Sequence, residues 1–113
     1  MSLEEYFSTG PPHEKPIFEA VLAHARQLGA VHIEPVSVGI FLKRARTFAE
    51  LRPMRKWVAL SFSLPRRAGH KTITRRVVQY SGRYYHVANV RDPADLDDDL
   101  LALLTEAYFA SPD

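Results

Sequence analysis

The sequence predicts an α+β domain with a mostly antiparallel sheet of four or five strands and with N-terminal and C-terminal helices packed on one face. Three patterns predict this fold. Apolar residues recur at helical spacing over 1–29, alternate with polar residues in short runs over 31–90, and return to helical spacing over 93–110. The runs in the middle are joined by connections too short for helical crossovers, so we expect an antiparallel meander. We expect residues 1–113 to form a single domain.

The N-terminal part predicts two helices. Ser2 and Glu5 have the spacing of a capping box, which starts a short first helix. Gly10-Pro11-Pro12 interrupts it, because consecutive prolines remove amide donors. From about Glu14 a second apolar stripe runs to Leu28, and Gly29 then supplies a left-handed C-terminal cap.

Five runs predict strands, and residues 57–64 form the clearest of them. Its large residues alternate with small ones, so we expect Leu60 and Phe62 to face the helices. Arg83–Val90 is expected to return antiparallel after a tight Ser81-Gly82 turn. The other runs are 31–34, 38–42 and 71–80, and the polar stretch that follows Leu42 is interpreted as a loop anchored by Phe48 and Leu51.

The last helix is predicted from its N-terminal signals and its leucines. Asp92 is an N-cap followed by Pro93 in the first turn, and the run Asp95–Asp99 places carboxylates at the positive end of the helix dipole. Leu100 and Leu104 belong to its buried stripe. This account of the acids is preferred to a metal site, because calcium loops alternate oxygen ligands around a glycine turn.

Composition excludes several classes of protein. The 113 residues contain no cysteine, which rules out disulfides and thiolate chemistry and is compatible with a reducing compartment. No apolar run approaches the length of a membrane span, and the acidic start of the chain does not resemble a signal peptide. We therefore expect a cytoplasmic protein without membrane contact.

Charge is distributed unevenly along the chain. Residues 1–36 carry a net charge of −3, residues 37–91 carry +12 and residues 92–113 carry −7. In the middle segment thirteen basic residues stand against Glu50 alone. The segment that forms the sheet is thus the candidate for contact with an anion.

The common catalytic motifs are missing. The five histidines are scattered without zinc-site spacing, the glycines form no phosphate-binding loop, and no serine-hydrolase elbow is present. We expect no metal and no cofactor. Catalysis is thereby disfavoured, although it is not excluded.

The basic segment also contains aromatic residues, and together they suggest a ligand-binding surface. Arginine forks suit phosphate or carboxylate, and aromatic faces suit planar rings. A plainer interpretation is that these side chains solvate the open sheet face and pair with the acidic helices. The candidate binding residues are Lys43, Arg44, Arg46, Phe48, Arg55, Lys56, Trp57, Arg75 and Tyr85.

Four stretches carry a resemblance to a known family. They are Ser2–Phe7, Ile17–Glu19, Phe41–Pro53 with its Lys43-Arg44-Ala45-Arg46-Thr47-Phe48-Ala49 core, and Lys56–Phe62. In these the chain resembles the bacterial and archaeal family catalogued as domain of unknown function 5655, over nearly its whole length. The resemblance implies no activity, and it implies a characteristic surface at Lys43, Arg44, Arg46, Thr47, Phe48, Arg52, Lys56 and Trp57.

Three functions stay open at this point. The leading hypothesis is a binding module that presents a basic and aromatic sheet face to a phosphate-bearing small molecule or to nucleic acid. The second is a small enzyme or ligand carrier with a pocket between helices and sheet, in which Tyr84, Tyr85 or His86 supplies a polar group. The third is a protein–protein module, including a homodimer in which an acidic helix meets the basic sheet of another copy.

Overall fold

A computed structural model describes residues 1–111 as an α+β fold with a six-stranded antiparallel sheet. The strand order is β1-β2-β3-β4-β6-β5, so the second half of the sheet departs from a simple meander. The predicted fold class is confirmed, with six strands in place of four or five. The elements are α1 (Leu3–Phe7), α2 (Glu14–Leu28), β1 (His32–Val36), β2 (Gly39–Lys43), β3 (Thr47–Pro53), β4 (Val58–Leu64), β5 (Val78–Tyr80), β6 (Arg83–Val90) and α3 (Asp98–Phe109), with a 3₁₀ turn at Pro93–Asp95.

The additional strand is β3, in the stretch interpreted from the sequence as a loop. It pairs with β2 on one side and β4 on the other. The register between β2 and β3 shifts at Leu42/Lys43, where a bulge brings the consecutive residues Phe48 and Ala49 both into the interior. Because the bulge breaks the period-two alternation, the sequence pattern concealed this strand.

The expected strand over 71–80 is mostly irregular. Only Val78–Tyr80 forms a strand, which pairs with the start of β6. The preceding segment nevertheless stays close to β6, since the amide of Asn89 donates to the carbonyl of Thr72 at 2.9 Å. Ala68 and Ile73 pack on the core, so this loop covers apolar surface without regular pairing.

The core lies between the sheet and the helices. β4 occupies the interior of the sheet and contributes Val58, Leu60, Phe62 and Leu64 to the same buried cluster as residues of α2 and α3. Burial of each such side chain stabilises the fold by about 2 kcal/mol before cavity effects. The helices therefore cover one sheet face, as expected. None of the helices among the described residues is long and apolar enough to cross a membrane.

The start of the chain is fixed by a buried polar pair. Ser2 and Glu5 form the predicted capping box at α1. The hydroxyl of Tyr6 donates to the carboxylate of Glu14, which is almost fully buried at the start of α2. Burial is the main cause that raises the pKa of Glu14, and its bond from Tyr6 opposes that shift. This pair joins the two N-terminal helices across the Gly10-Pro11-Pro12 break.

Gly29 ends α2 at a point where α3 passes close by. Its φ of 153° lies at the edge of the positive range that L side chains rarely adopt, and its conformation is not the expected left-handed cap. A Cβ at this position would collide with the hydroxyl of Tyr108. That hydroxyl donates to the carbonyl of Ala30 at 3.0 Å and so ties α3 to the end of α2.

We expect Gly29→Ala to lower the free energy of unfolding by about 1–3 kcal/mol, because the new methyl group is strained by the backbone and displaces Tyr108. Urea denaturation measures the effect. Gly69→Ala is the matched control, since a Cβ there meets no atom within 4 Å and the residue does not have positive φ. Equal stability of the two variants would contradict this account of Gly29.

His86 on β6 is fully buried and uses both ring nitrogens. Its Nε2 accepts from the amide of Ala68 at 3.0 Å, so the proton is on Nδ1, which donates to the carbonyl of Tyr84 at 3.0 Å. The ring stacks on Phe62 with centroids 5.4 Å apart. Burial lowers the pKa of His86 below 6.5, because the charged form would be desolvated. The neutral imidazole therefore holds the irregular loop against the sheet.

This arrangement predicts a pH dependence of stability. Below the unfolded-state pKa of about 6.5 the unfolded chain binds a proton at His86 that the folded chain does not, so the free energy of unfolding falls as pH decreases from there towards the lowered folded-state pKa. Urea denaturation between about pH 5 and pH 8 should show a flatter profile for His86→Gln than for the parent. His32→Gln, at an exposed position, should keep the parent slope. A parental slope in His86→Gln would contradict the assignment.

Candidate functional site

The face of the sheet turned away from the helices has a floor of small side chains along β4. Ala59, Ser61 and Ser63 alternate with the core residues of that strand. Although they point away from the helices, Ala59 is only 4% and Ser63 only 8% exposed. Longer side chains on both neighbouring strands shade them. The open face is therefore a groove along β4.

The strand register defines the walls of this groove. On β3, Glu50 lies opposite Ser61. On β6, Val87 lies opposite Ser61 and Tyr85 lies opposite Ser63. Since directly opposed residues share a sheet face, the groove has a carboxylate on one side and aliphatic and aromatic groups on the other.

At one end the groove deepens into a cavity of about 430 Å³. This volume lies in the range of small-molecule sites. The cavity reaches from the open face to the residues that follow α3. Its lining residues are Arg46, Thr47, Phe48, Ala49, Glu50, Ser61, Phe62, Ser63, Arg83, Tyr85, Ala110 and Ser111.

Arg83 builds the wall of the cavity at the end of α3. Its Nε and Nη2 donate to the hydroxyl of Ser63 at 3.0 and 2.9 Å. Its Nη1 donates to the carbonyl of Ala110 at 2.9 Å, and Nη2 also reaches the hydroxyl of Ser111 at 3.2 Å. The guanidinium thus joins β4, β6 and the end of α3, and most of its donors are engaged.

Arg46 and Glu50 supply the other charges of the cavity. Arg46 lies in the turn before β3 and is exposed; its carbonyl accepts from the amide of Arg44 at 2.9 Å, which fixes the turn. The Glu50 side chain is 26% exposed, and its Oε1 lies 3.5 Å from Nη2 of Arg52. Tyr85 adds an aromatic face that is 44% exposed. The cavity combines a cation, an acid, hydroxyl groups and a ring.

Three of the sequence-predicted site residues line this cavity: Arg46, Phe48 and Tyr85. Phe48 is only 3% exposed and its ring centroid lies 5.1 Å from that of Tyr108, so it belongs to the core as well as to the cavity wall. Arg46 and Tyr85 are the two of this group with accessible functional groups.

Lys43 and Arg44 lie in a second region, near the ends of α2 and α3. Lys43 forms an ion pair with Glu34 at 2.9 Å. The guanidinium of Arg44 lies 4.3 Å from the ring centroid of Tyr108 and donates to the carbonyl of that residue at 3.1 Å. Both cations are held by contacts within the fold.

The remaining candidates lie towards the opposite end of the sheet. Arg55 and Lys56 are exposed in the turn between β3 and β4. Trp57 follows them, and the guanidinium of Arg91 lies 5.4 Å from the centroid of the Trp57 ring. Arg75 is exposed in the loop before β5. The nine predicted site residues therefore lie in three separate regions of the structure. Only Arg46, Phe48 and Tyr85 line the cavity.

Glu50, Ser61, Ser63 and Arg83 are among the cavity residues that were not predicted as site residues from the sequence. Ser61 and Ser63 were noted only as small residues that alternate with the large residues of β4. Arg83 could not be distinguished from the other basic residues of the segment. Glu50 offered the clearest signal, because it is the single acid of the basic segment. Its position could not be inferred while β3 was interpreted as a loop.

His70 and His86, which lie outside the cavity, have structural roles. His70 is bonded through Nε2 to Asp97 at 2.8 Å, and its Nδ1 accepts from the amide of Thr72 at 3.1 Å. Asp97 also caps α3, because its carboxylate accepts a hydrogen bond from the amide of Leu100. This bond and the bond to His70 lower the pKa of the Asp97 carboxyl. His86, considered above for polar chemistry, is enclosed. Within residues 1–111 no group of three potential metal ligands occurs.

Comparison with known proteins gives a family and no further relative. The family described as Domain of unknown function (DUF5655) matches residues 3–111, which confirms the resemblance noted in the sequence. The searches of curated proteins and of solved structures found no significant match. The match covers every element that builds the cavity.

We expect Arg83→Lys to lower the free energy of unfolding by about 1–3 kcal/mol, because an ammonium group cannot reproduce the fork that reaches Ser63, Ala110 and Ser111 together. Thermal or urea denaturation measures this loss. Arg76→Lys, at an exposed loop position, is the control and should change stability by less than about 0.5 kcal/mol. An Arg83→Lys variant as stable as that control would show that Arg83 does not secure the wall.

Proposed function

The chain belongs to the DUF5655 family, whose description attaches no activity to it, and from the open sheet face we propose that it is a binding module for a small phosphate-bearing ligand. The observation that carries this proposal is the cavity between β3, β4, β6 and the end of α3, because it places a cation and several hydroxyl groups beside an exposed ring. Phosphate oxygens accept from such donors, and a planar group can stack on the ring.

Arg46 is the proposed anchor for the phosphate. It is exposed at the mouth of the cavity and has no ion-pair partner among residues 1–111, whereas Arg83 is engaged by its neighbours. Thr47 and Ser61 supply hydroxyl groups that rotate to suit an acceptor. Arg83 holds the wall in place, so that the donors are organised before the ligand arrives.

The size of the site favours a small molecule over a polymer. A volume of about 430 Å³ suits a mononucleotide or a similar compound. Arg55, Lys56 and Arg75 are exposed towards the far end of the sheet, and Arg52 is exposed beside Glu50. The Glu50 carboxylate interrupts the groove between the two ends. A nucleic acid following β4 would have to pass that carboxylate.

We expect Arg46→Ala to weaken the binding of inorganic phosphate by about tenfold, since one charge-assisted contact contributes on the order of 1.5–3 kcal/mol. Isothermal titration calorimetry at low ionic strength measures the change. Arg26→Ala removes an equal charge from an exposed position on α2 and should leave the affinity within about twofold of the parent.

Two results would contradict this proposal. One is an absence of phosphate binding by the parent protein at low salt; the other is equal weakening by Arg46→Ala and Arg26→Ala. Single-stranded oligothymidylate forms a separate arm of the experiment. If it binds far more tightly than phosphate, with an affinity that falls steeply with salt, the partner is nucleic acid instead of a small molecule.

A further inference from the structure

We propose that Glu50 is a specificity-determining residue, and that it selects a ligand carrying paired N–H donors beside its phosphate, of the guanine nucleotide type. This inference rests on the proposed function, because it concerns a ligand in the same cavity. It adds the requirement that the ligand carries N–H donors, which a site for a simple anion would not impose. Three features of Glu50 support this proposal: its position in the cavity, its weak ion pair with Arg52, and its negative charge.

Glu50 lies inside the binding cavity at the centre of the groove. It is on β3 directly opposite Ser61, whose small side chain forms the floor. The Glu50 side chain is 26% exposed, so it is accessible from the groove while being partly shielded from water. Arg46 and Glu50 line the same cavity, so a ligand anchored at Arg46 can reach the Glu50 carboxylate.

The carboxylate is only weakly engaged within the protein. Its Oε1 lies 3.5 Å from Arg52, whose side chain is 50% exposed, and exposed pairs of this kind contribute little. Among residues 1–111, no cation other than Arg52 forms an ion pair with this carboxylate. Arg83 shows the contrast, since its donors are taken up by Ser63 and Ala110. Glu50 is thus available to a ligand.

The sign of Glu50 excludes a purely anionic ligand as the best fit. A negative charge near Arg46 reduces the attraction that the site exerts on phosphate. Because an ionised carboxylate only accepts hydrogen bonds, the opposing charge becomes favourable when the ligand presents donors to it. The site therefore suits a ligand with an anion at one end and N–H groups further along.

The groove has room for such a group. β3 and β6 flank β4 on either side, so their backbones lie about 9.6 Å apart. Between them the cavity of about 430 Å³ opens at Ser61, the floor residue that is partly exposed. On the other wall, Val87 lies across from Glu50, and Tyr85 offers a face for stacking one residue pair further along, opposite Ser63. The N1–H and 2-amino groups of guanine form a parallel donor pair that matches the two oxygens of a carboxylate.

The test compares guanosine, inosine and adenosine 5′-monophosphates, which share the phosphate and the sugar and differ in the donors of the base. Calorimetry on the parent protein should give the tightest binding for the guanosine compound, about tenfold tighter than for the adenosine compound, with the inosine compound between them. In Glu50→Gln this preference should disappear, while inorganic phosphate should bind about threefold more tightly because a like charge is removed.

Glu19→Gln is the matched control, since it removes the same charge from an exposed position on α2 and should alter neither the preference nor phosphate binding. Equal binding of the three nucleotides by the parent, with phosphate binding intact, overturns the role of Glu50 and leaves the proposed function standing. A preference that persists in Glu50→Gln also overturns it. Loss of phosphate binding in the parent overturns both proposals. Circular dichroism establishes that each variant is folded.

Discussion

The alternation of side chains along β4 is the constraint on which both the fold and the candidate site depend. On one face, Leu60, Phe62 and their two large neighbours enter the core beneath α2 and α3. On the other, Ala59, Ser61 and Ser63 are too small to fill the space between β3 and β6. A shift of one residue in register would exchange these faces, burying serines and exposing leucines. The same pattern that stabilises the sheet therefore creates the groove.

The end of α3 converts this groove into a cavity. Arg83 joins Ser63 on the groove floor to Ala110 and Ser111, so a backbone segment becomes a wall. Basic residues consequently have distinct tasks despite their similar appearance in the sequence. Arg44 and Arg83 are held by contacts within the fold, whereas Arg46 faces the cavity. The net charge of the segment alone does not distinguish these two groups of basic residues.

The sequence predicted the elements in which local signals agree, and it failed where tertiary contacts override them. The capping box at Ser2, the stripe of α2 and the faces of β4 follow from spacing alone. β3 was missed because a bulge places Phe48 and Ala49 side by side in the core. The segment before β5 was interpreted as strand from its apolar residues. Ile73 packs on the core, yet only Val78–Tyr80 pairs as a strand. For the site, Arg46 and Tyr85 were recognised by residue type, while Glu50 and Arg83 required the register.

The central claim is that ligand chemistry belongs to the open face, at the cavity between β3, β4 and β6, and its most direct test is a backbone-amide NMR titration with inorganic phosphate at low salt. The account predicts shifts concentrated at Arg46–Glu50, Ser61–Ser63 and Tyr85, with the amides of α2 unchanged. Shifts centred instead on the turn that contains Arg55 and Lys56, or on the helix-covered side around His86, would contradict it.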